Sequence, residues 1–448
     1  MSAAQASYAR RTQPSQPAGL PRLLAGIADH AAMTLPRHQV MHGPLPHARR
    51  GRGHGPGWSA GRLDLVEEIA RAGLRGRGGA AFSTAAKMRA VAASGGRAAV
   101  VRGRPVVLIN AAEGEPASRK DRTLGRALPH LVLDGGELAA SALGAGELIV
   151  GVCESARACA DGLAMAIAER ASAHGAPPTR LLIVPDRFVS GQETALVNHA
   201  SGGPAAPTFA PPMPFQRGVA GRPTLVVNAE TAAHVALIAR HGARWFRELG
   251  TPEQPGSALV TLSGPVAHPG VFEVALGESL PALIGAAGGL TESPRAVLLG
   301  GYGGSWVDAE HLCDLRLAEE HLRPYGASLG AGVVLVLSDG ACPVAETARL
   351  AGWLAAESAG QCGPCVHGLD AIAASLREIV AGTAREGPRR VARLAELARG
   401  RGACRHPDGA ARMALSAIEV FARELADHAE HGPCERCRRP PELPLPSR

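Results

Sequence analysis

At 448 residues the chain is too long for one ordinary core and fits roughly three domains of about 150 residues each. Its 46% hydrophobic and 19% charged residues describe a globular protein and exclude a disordered or fibrous one. The charge of +7 is modest, and no apolar run approaches the roughly 20 residues needed to cross a bilayer, nor does the N-terminus carry the apolar core of a signal peptide, so a cytoplasmic protein without membrane insertion is expected.

Residues 1–60 are rich in Pro, Gly, His and Arg and are expected to form an irregular basic arm, most basic around Arg49 to His54. No aromatic residues interleave with the basic ones, which disfavours nucleic acid as a partner. Residues 61–250 carry β-type runs at Val106–Asn110, Glu147–Val152, Leu181–Val184 and Thr224–Asn228, alternating with helical stretches such as Ser155 to His174. That alternation predicts a Rossmann-like α/β domain with a parallel sheet. Residues 251–340 have a β-β-α-β order, with Ala258–Ser263 and Gly270–Val274 followed by a helix at Leu280–Ala287, and predict a small mixed sheet with one helix. Residues 341–430 have helical spacing at Val344–Ser358, Leu369–Ala381, Arg389–Arg399 and Ala410–His428, which predicts a four-helix bundle. Residues 431–448 form a Pro-rich tail.

Lysine survives only at Lys87 and Lys120, and asparagine only at Asn110, Asn198 and Asn228. Both types have A/T-rich codons, so their scarcity fits a G/C-rich genome, and the survivors mark places where a compact ammonium or a small amide does what guanidinium or Asp cannot. Lys87 follows Gly73-Leu-Arg-Gly-Arg-Gly-Gly-Ala-Ala-Phe82, one turn into the next helix. Glycines admit a ligand close to backbone, a helix N-terminus favours an anion, and the ammonium adds a point charge: a phosphate-holding design, set against the bland reading of a flexible Arg/Gly connector. Asn110, Glu113 and Glu115, with Lys120-Asp-Arg122 just beyond, stand at the carboxyl end of the strand Val106–Ile109, where open α/β sheets bind ligands; a solvated charged turn is the alternative.

These strings, with GQETAL at 191–196 and VVNAET at 226–231, resemble in order and spacing the flavoprotein subunit of NADH:quinone oxidoreductase and related NAD-linked dehydrogenases. SGPVAHPGVFEV and GESLPALIGAAGGL resemble that family's soluble-ligand-binding β-grasp insertion, and ESAGQCGPCVHG its iron–sulfur motif, so the resemblance covers about residues 60–428. It implies an FMN surrounded by Gly76, Arg77, Gly78, Gly79, Lys87, Asn110, Glu113, Gly191 and Asn228. It matches Phe82, Glu115 and Glu193 to residues that contact NADH, and it places an iron–sulfur cluster in the helical domain.

The chain also departs from the family pattern. Ala112 replaces an Asp, Gln192 a Glu, Ala210 a Lys, Met213 a Phe, Phe188 a Tyr, Val227 an Asn and Ala81 a Gly. In the C-x-x-C-x-x-C motif Ala359 stands at the first position, leaving Cys362, Cys365 and Cys404 in register. Three thiolates suit a 3Fe-4S centre, a 4Fe-4S centre whose fourth iron takes another ligand, or no cluster, as three buried structural thiols. His367 is an exposed bystander or a substitute ligand. Cys434 and Cys437 form a further C-x-x-C that completes a metal site, binds zinc or, more blandly, is an unstructured thiol pair; Cys153, Cys159, Cys313 and Cys342 lack ligand spacing and are assigned to the core.

The expected function is an FMN-dependent oxidoreductase that passes electrons from NADH through an iron–sulfur centre to a ferredoxin-like or iron–sulfur partner protein. The alternative is a non-catalytic or NADH-independent scaffold or relay with degenerate sites. Peripheral association with a membrane complex is compatible with either.

Overall fold

The computed structural model describes residues 19–27, 32–46, 62–171, 177–384 and 386–446. These divide into two compact units, one of residues 19–114 and 119–258, the other of 115–118 and 259–446. Among the described residues no helix is long and apolar enough to cross a membrane.

In the first unit, helix α1 (Leu35–His42) precedes α2 (Arg62–Ala72) and α3 (Thr84–Arg102). Four strands follow: β1 (Val106–Ala111), β2 (Glu147–Cys153), β3 (Thr179–Val184) and β4 (Thr224–Asn228). They pair in parallel in the order β3-β2-β1-β4. β1 reads Val-Val-Leu-Ile-Asn-Ala and is buried along nearly its whole length, as a strand covered by helices on both faces must be. The intervening helices are α4 (Lys120–Ala127), α5 (Pro129–Leu143), α6 (Arg157–Arg170), α7 (Glu193–Ala200) and, after β4, α8 (Ala229–Phe246). Because the chain runs outward from β1 to β3 and returns to β4 on the other side of β1, the order reverses between β1 and β4. That reversal is the crevice where such sheets hold ligands.

Helix α1 corrects the expectation of a wholly irregular arm. Its polar sequence has little periodic signal. It is anchored from outside itself, by the buried His38 ring, whose Nε2 lies 2.7 Å from the Asp134 carboxylate. Arg49 to His54 lie outside the described residues.

The second unit opens on a mixed five-stranded sheet of β5 (Ser257–Ser263), β6 (Gly270–Ala275), β7 (Pro294–Leu299), β8 (Ser305–Asp308) and β9 (Val333–Ser338), in the order β6-β5-β9-β7-β8. β5 pairs with β9 in parallel, and β7 pairs antiparallel with β8 and β9. Helix α9 (Leu280–Ala286) starts at Ser279, whose hydroxyl accepts from the Ala282 N–H at 3.3 Å.

The helical section holds α10 (Pro343–Ala356), α11 (Leu369–Val380), α12 (Gly387–Ala398), α13 (His406–Val420) and α14 (Ala422–His431). The expected fourth helix is therefore two, broken at Phe421. Arg295 explains the break: its guanidinium donates to the Val420 carbonyl at 3.1 Å and to Glu424 at 2.6 Å, and lies 5.0 Å over the Phe421 ring. Beyond α14 the chain stays ordered. Glu442 accepts from the Ser338 N–H at 3.0 Å, its own N–H donates to Glu346 at 2.8 Å, and Leu443 is buried.

Candidate flavin crevice and thiol sites

The glycine loop is closed at its base. Gly76 N–H donates to the Phe82 carbonyl at 2.8 Å and Thr84 N–H to the Leu74 carbonyl at 3.0 Å, so residues 77–81 bulge out as a short loop before α3. Among the described residues the N–H groups of Gly78 and Gly79 donate no hydrogen bond, and both glycines are exposed. Gly79 has φ +100 and Ala81 φ +47, so Ala81 holds a left-handed conformation that a glycine adopts at less cost. Gly78 lies against Asn228, where an added Cβ would come 3.3 Å from the Asn228 Cβ. The loop thus sits over the carboxyl end of β4. Phe82, 57% exposed, marks its far edge.

Arg77 takes a different part from the one the resemblance implies. Its side chain is buried and turned into the protein, donating to the carbonyls of Ser257 at 3.1 Å and Pro255 at 3.4 Å, while its N–H donates to Thr231 Oγ1 at 2.9 Å. It pins the loop and leaves the backbone of Gly78 and Gly79 exposed. Lys87 donates to the Val226 carbonyl at 3.1 Å and pairs with Glu193 at 3.0 Å, both partly exposed.

Asn110 and Asn228 lie directly opposite each other in the β1–β4 register, at the reversal of strand order. Asn110 donates to the Gly191 carbonyl at 2.7 Å and accepts from the Ala112 N–H at 3.1 Å. Gly191 can approach so closely because it lacks a Cβ, which would lie 2.2 Å from the Ala112 oxygen. Beside it the Ser190 hydroxyl is fully buried and has no partner among the described residues. Asn228 caps α8, accepting from the Glu230 N–H at 3.1 Å, and donates to Asp121 at 2.7 Å.

Beneath these amides lies an ion cluster that the motif reading left without a role. The Lys120 ammonium is buried, 2.9 Å from Asp121, 3.1 Å from Glu230 and 3.2 Å from Asn228 Oδ1. Burial works against its charge, but Asp121, Glu230 and Glu113 outweigh it and hold the pKa above the ordinary lysine value. Its survival in a lysine-poor chain was the signal.

The acidic residues divide. Glu113 is buried and accepts from the N–H groups of Asp121 and Arg122, both at 3.2 Å, so it caps α4. Gln192 occupies a cap as well, its Oε1 accepting from Thr194 N–H at 2.8 Å and Ala195 N–H at 3.0 Å. An amide oxygen does this as a carboxylate would, so Gln for Glu removes a charge and keeps the helix start. Glu115 belongs to the second unit, where it accepts from the Tyr302 N–H at 2.9 Å.

Taken together, free backbone donors on a helix-leading loop, one lysine and a crevice of amides make a donor set that suits a phosphate-bearing flavin nucleotide.

In the second unit, Cys365 is buried and Cys362 and Cys404 half-buried. Burial pushes the Cys365 thiol up to about 11. The Ser358 hydroxyl and Ala359 N–H hydrogen-bond to it and oppose that rise, while the nearby Cys362 and Cys404 add to it. The three thiols of the register thus lie within electrostatic reach of one another. A cubane asks for one thiolate per iron, and this register offers three. His367 is exposed.

Cys153 and Cys159 are buried, and burial pushes both thiols up to about 12. Cys313 is exposed, against its assignment to the core; Leu312 and Leu315 fill the interior on either side of it. Cys342 is buried but not isolated, for Cys437 Sγ lies 3.4 Å away. Cys434 and Cys437 are accordingly part of an ordered turn, not an unstructured pair.

Residues 69–237 match the Nuo51 FMN-binding domain, 345–428 the NADH-ubiquinone oxidoreductase-F iron–sulfur binding region, and 259–304 the SLBB domain. An NADH-quinone oxidoreductase F subunit of Rhizobium meliloti, the one numbered 2, is 32% identical over 83% of this chain and 90% of its own length. The corresponding F subunit of Escherichia coli is 31% identical over 81% and 83%. Among solved structures, an NAD+-reducing NiFe hydrogenase in its H2-reduced state superposes with a TM-score of 0.76 at 32% identity, covering 83% of this chain; the chain spans 63% of that hydrogenase chain. With its FMN-binding, SLBB and iron–sulfur regions in order, the chain belongs to the family of NADH-quinone oxidoreductase F subunits.

Proposed function

We propose that this chain is the NADH-oxidising flavoprotein of an electron-transfer complex, holding FMN in the crevice between β1 and β4 and passing electrons through its iron–sulfur region to an iron–sulfur partner protein. The observation that carries this reading is the pair of unengaged N–H groups at Gly78 and Gly79, set over Asn228 and followed by the Lys87 helix. Bound FMN supplies hydride acceptance and one-electron release, which is the hard chemistry of the reaction.

The residues of the chain bind and orient. Gly78 and Gly79 would offer backbone donors to the phosphate, Lys87 would add positive charge, and Asn110 and Asn228 hold the two strand ends of the crevice in register. Phe82 presents an exposed aromatic face for a nicotinamide nucleotide, and Glu193, held by Lys87, is the carboxylate left in the same unit to orient it. Glu113, Arg77 and the Lys120 cluster support the site from beneath.

A relay that takes electrons from a donor other than NADH is the second reading. It is favoured by Glu115, whose carboxylate is committed to Tyr302, and by Ala359 in the cluster motif.

Flavin content after purification tests the crevice. Lys87→Met is expected to lose most of the flavin, whereas Cys153→Ala, at a buried thiol of the same sheet, retains it. Equal retention in the two variants would remove the assignment.

A further inference from the structure

We infer that Cys342, His428, Cys434 and Cys437 form a structural zinc site, separate from the flavin crevice and from the iron–sulfur cysteines. Their ligand atoms all lie within 4.8 Å of one another. Cys342 Sγ and Cys437 Sγ are 3.4 Å apart, His428 Nε2 is 3.4 Å from each of them, and Cys434 Sγ is 3.7 Å from Cys437 Sγ. Zinc bonds of about 2.3 Å to sulfur and 2.0–2.1 Å to nitrogen place tetrahedral ligands roughly 3.6–3.8 Å apart. The four side chains are therefore close to the spacing that one ion would impose.

Each ligand is aimed by the fold. Cys342 begins α10, and its sulfur accepts from the Ala345 N–H at 3.4 Å, which fixes where the sulfur sits. His428 lies in the last turn of α14, with Nδ1 2.7 Å from the Glu424 carbonyl. A carbonyl only accepts, so Nδ1 carries the proton and Nε2 of the neutral ring presents a lone pair toward the three sulfurs. Cys434 and Cys437 sit on one turn, closed by the Cys437 N–H donating to the Cys434 carbonyl at 3.0 Å. Cys342 and His428 are buried and the other two half-buried, so the set is closed on the protein side.

Three thiolates and one imidazole with no carboxylate among them is a soft, closed, tetrahedral set, the kind that selects zinc for structure and leaves no open position for catalysis. The ion would staple three elements that are distant in sequence: the start of α10, the end of α14 and the tail. The tail then returns to β9, where Glu442 meets Ser338, which gives the staple something to hold in place. This site does not depend on the flavin reading.

The test uses the full chain purified anaerobically from cells grown with added zinc. Metal analysis is expected to find about one zinc per chain beside any iron, and X-ray absorption at the zinc edge a shell of three sulfurs and one nitrogen. In Cys434→Ser/Cys437→Ser the zinc content is expected to fall about tenfold or more while iron and flavin are retained, which separates this site from the other two. Because that variant could fail to fold, the zinc-edge spectrum of the unaltered protein stands as an independent arm. Absence of zinc from the unaltered chain, a shell without sulfur, a disulfide between any two of the three cysteines in the anaerobic protein, or zinc undiminished in the double variant would each overturn the proposal.

Discussion

Replacing Lys120 by Met removes the cation at the centre of the ion cluster under the crevice while nearly keeping its volume. The ammonium side chain is 3% exposed and its carboxylate partners lie 2.9 and 3.1 Å away. At those distances each attraction is worth roughly 5 kcal/mol at an effective dielectric near 20, most of which offsets the cost of taking three charges out of water. With the cation gone much of that cost is no longer offset, although Arg77 stays 3.9 Å from Glu230 and Asn228 still donates to Asp121. The variant should lose about 3–5 kcal/mol, a large share of the roughly 5–15 kcal/mol that holds a typical domain folded. Urea titration at neutral pH, followed by far-UV circular dichroism and by flavin release, measures the loss. Glu230, left with Arg77 at 3.9 Å as its nearest cation, would take up a proton more readily, so the deficit should shrink in mildly acid solution. Adding Glu230→Gln should recover about 1–3 kcal/mol relative to the sum of the single changes. A loss below about 1 kcal/mol, or no recovery in the double variant, would refute the view that Lys120 is charged and neutralised by these two acids.

Three further outcomes are expected. Ala81→Gly should raise stability by about 0.5–1 kcal/mol, since relief of the left-handed alanine exceeds the entropy glycine loses on folding, and flavin content should not fall; denaturant midpoints check this. Ala359→Cys should complete the thiolate set and bring the cluster to about four irons per chain, measured by iron and sulfide content, and unchanged iron would show that Ala359 does not mark the missing ligand. Burial is the main cause holding His42 and His130 down to about 4, so the unfolded chain takes up their protons first, near 6.5. Stability should therefore fall as pH drops from about 6.5 to 4 and level off below that for these two groups, and His42→Gln with His130→Gln should flatten this slope.

The parallel sheet was legible because its strands are apolar runs bounded by glycine and polar turns, and Asn110 and Asn228 stood out because asparagine is so scarce. The roles of individual polar side chains were not legible. Arg77 and Glu113 lie inside a ligand-like motif, yet one pins the loop to carbonyls and the other caps a helix, and that choice depends on partners 180 and 8 residues away. The break at Phe421 was hidden for the same reason, since Arg295, which causes it, lies on another element. Cys342 and His428 gave no spacing signal, because the fold and not the sequence brings them to the Cys434 turn.

Anaerobic addition of NADH to the purified flavoprotein tests the central claim most directly. Bleaching of the visible flavin absorbance, with about one NADH consumed per flavin and further uptake by the cluster, is the expected result. A protein that keeps its flavin through purification and shows no bleaching with excess NADH would contradict NADH oxidation and leave the relay.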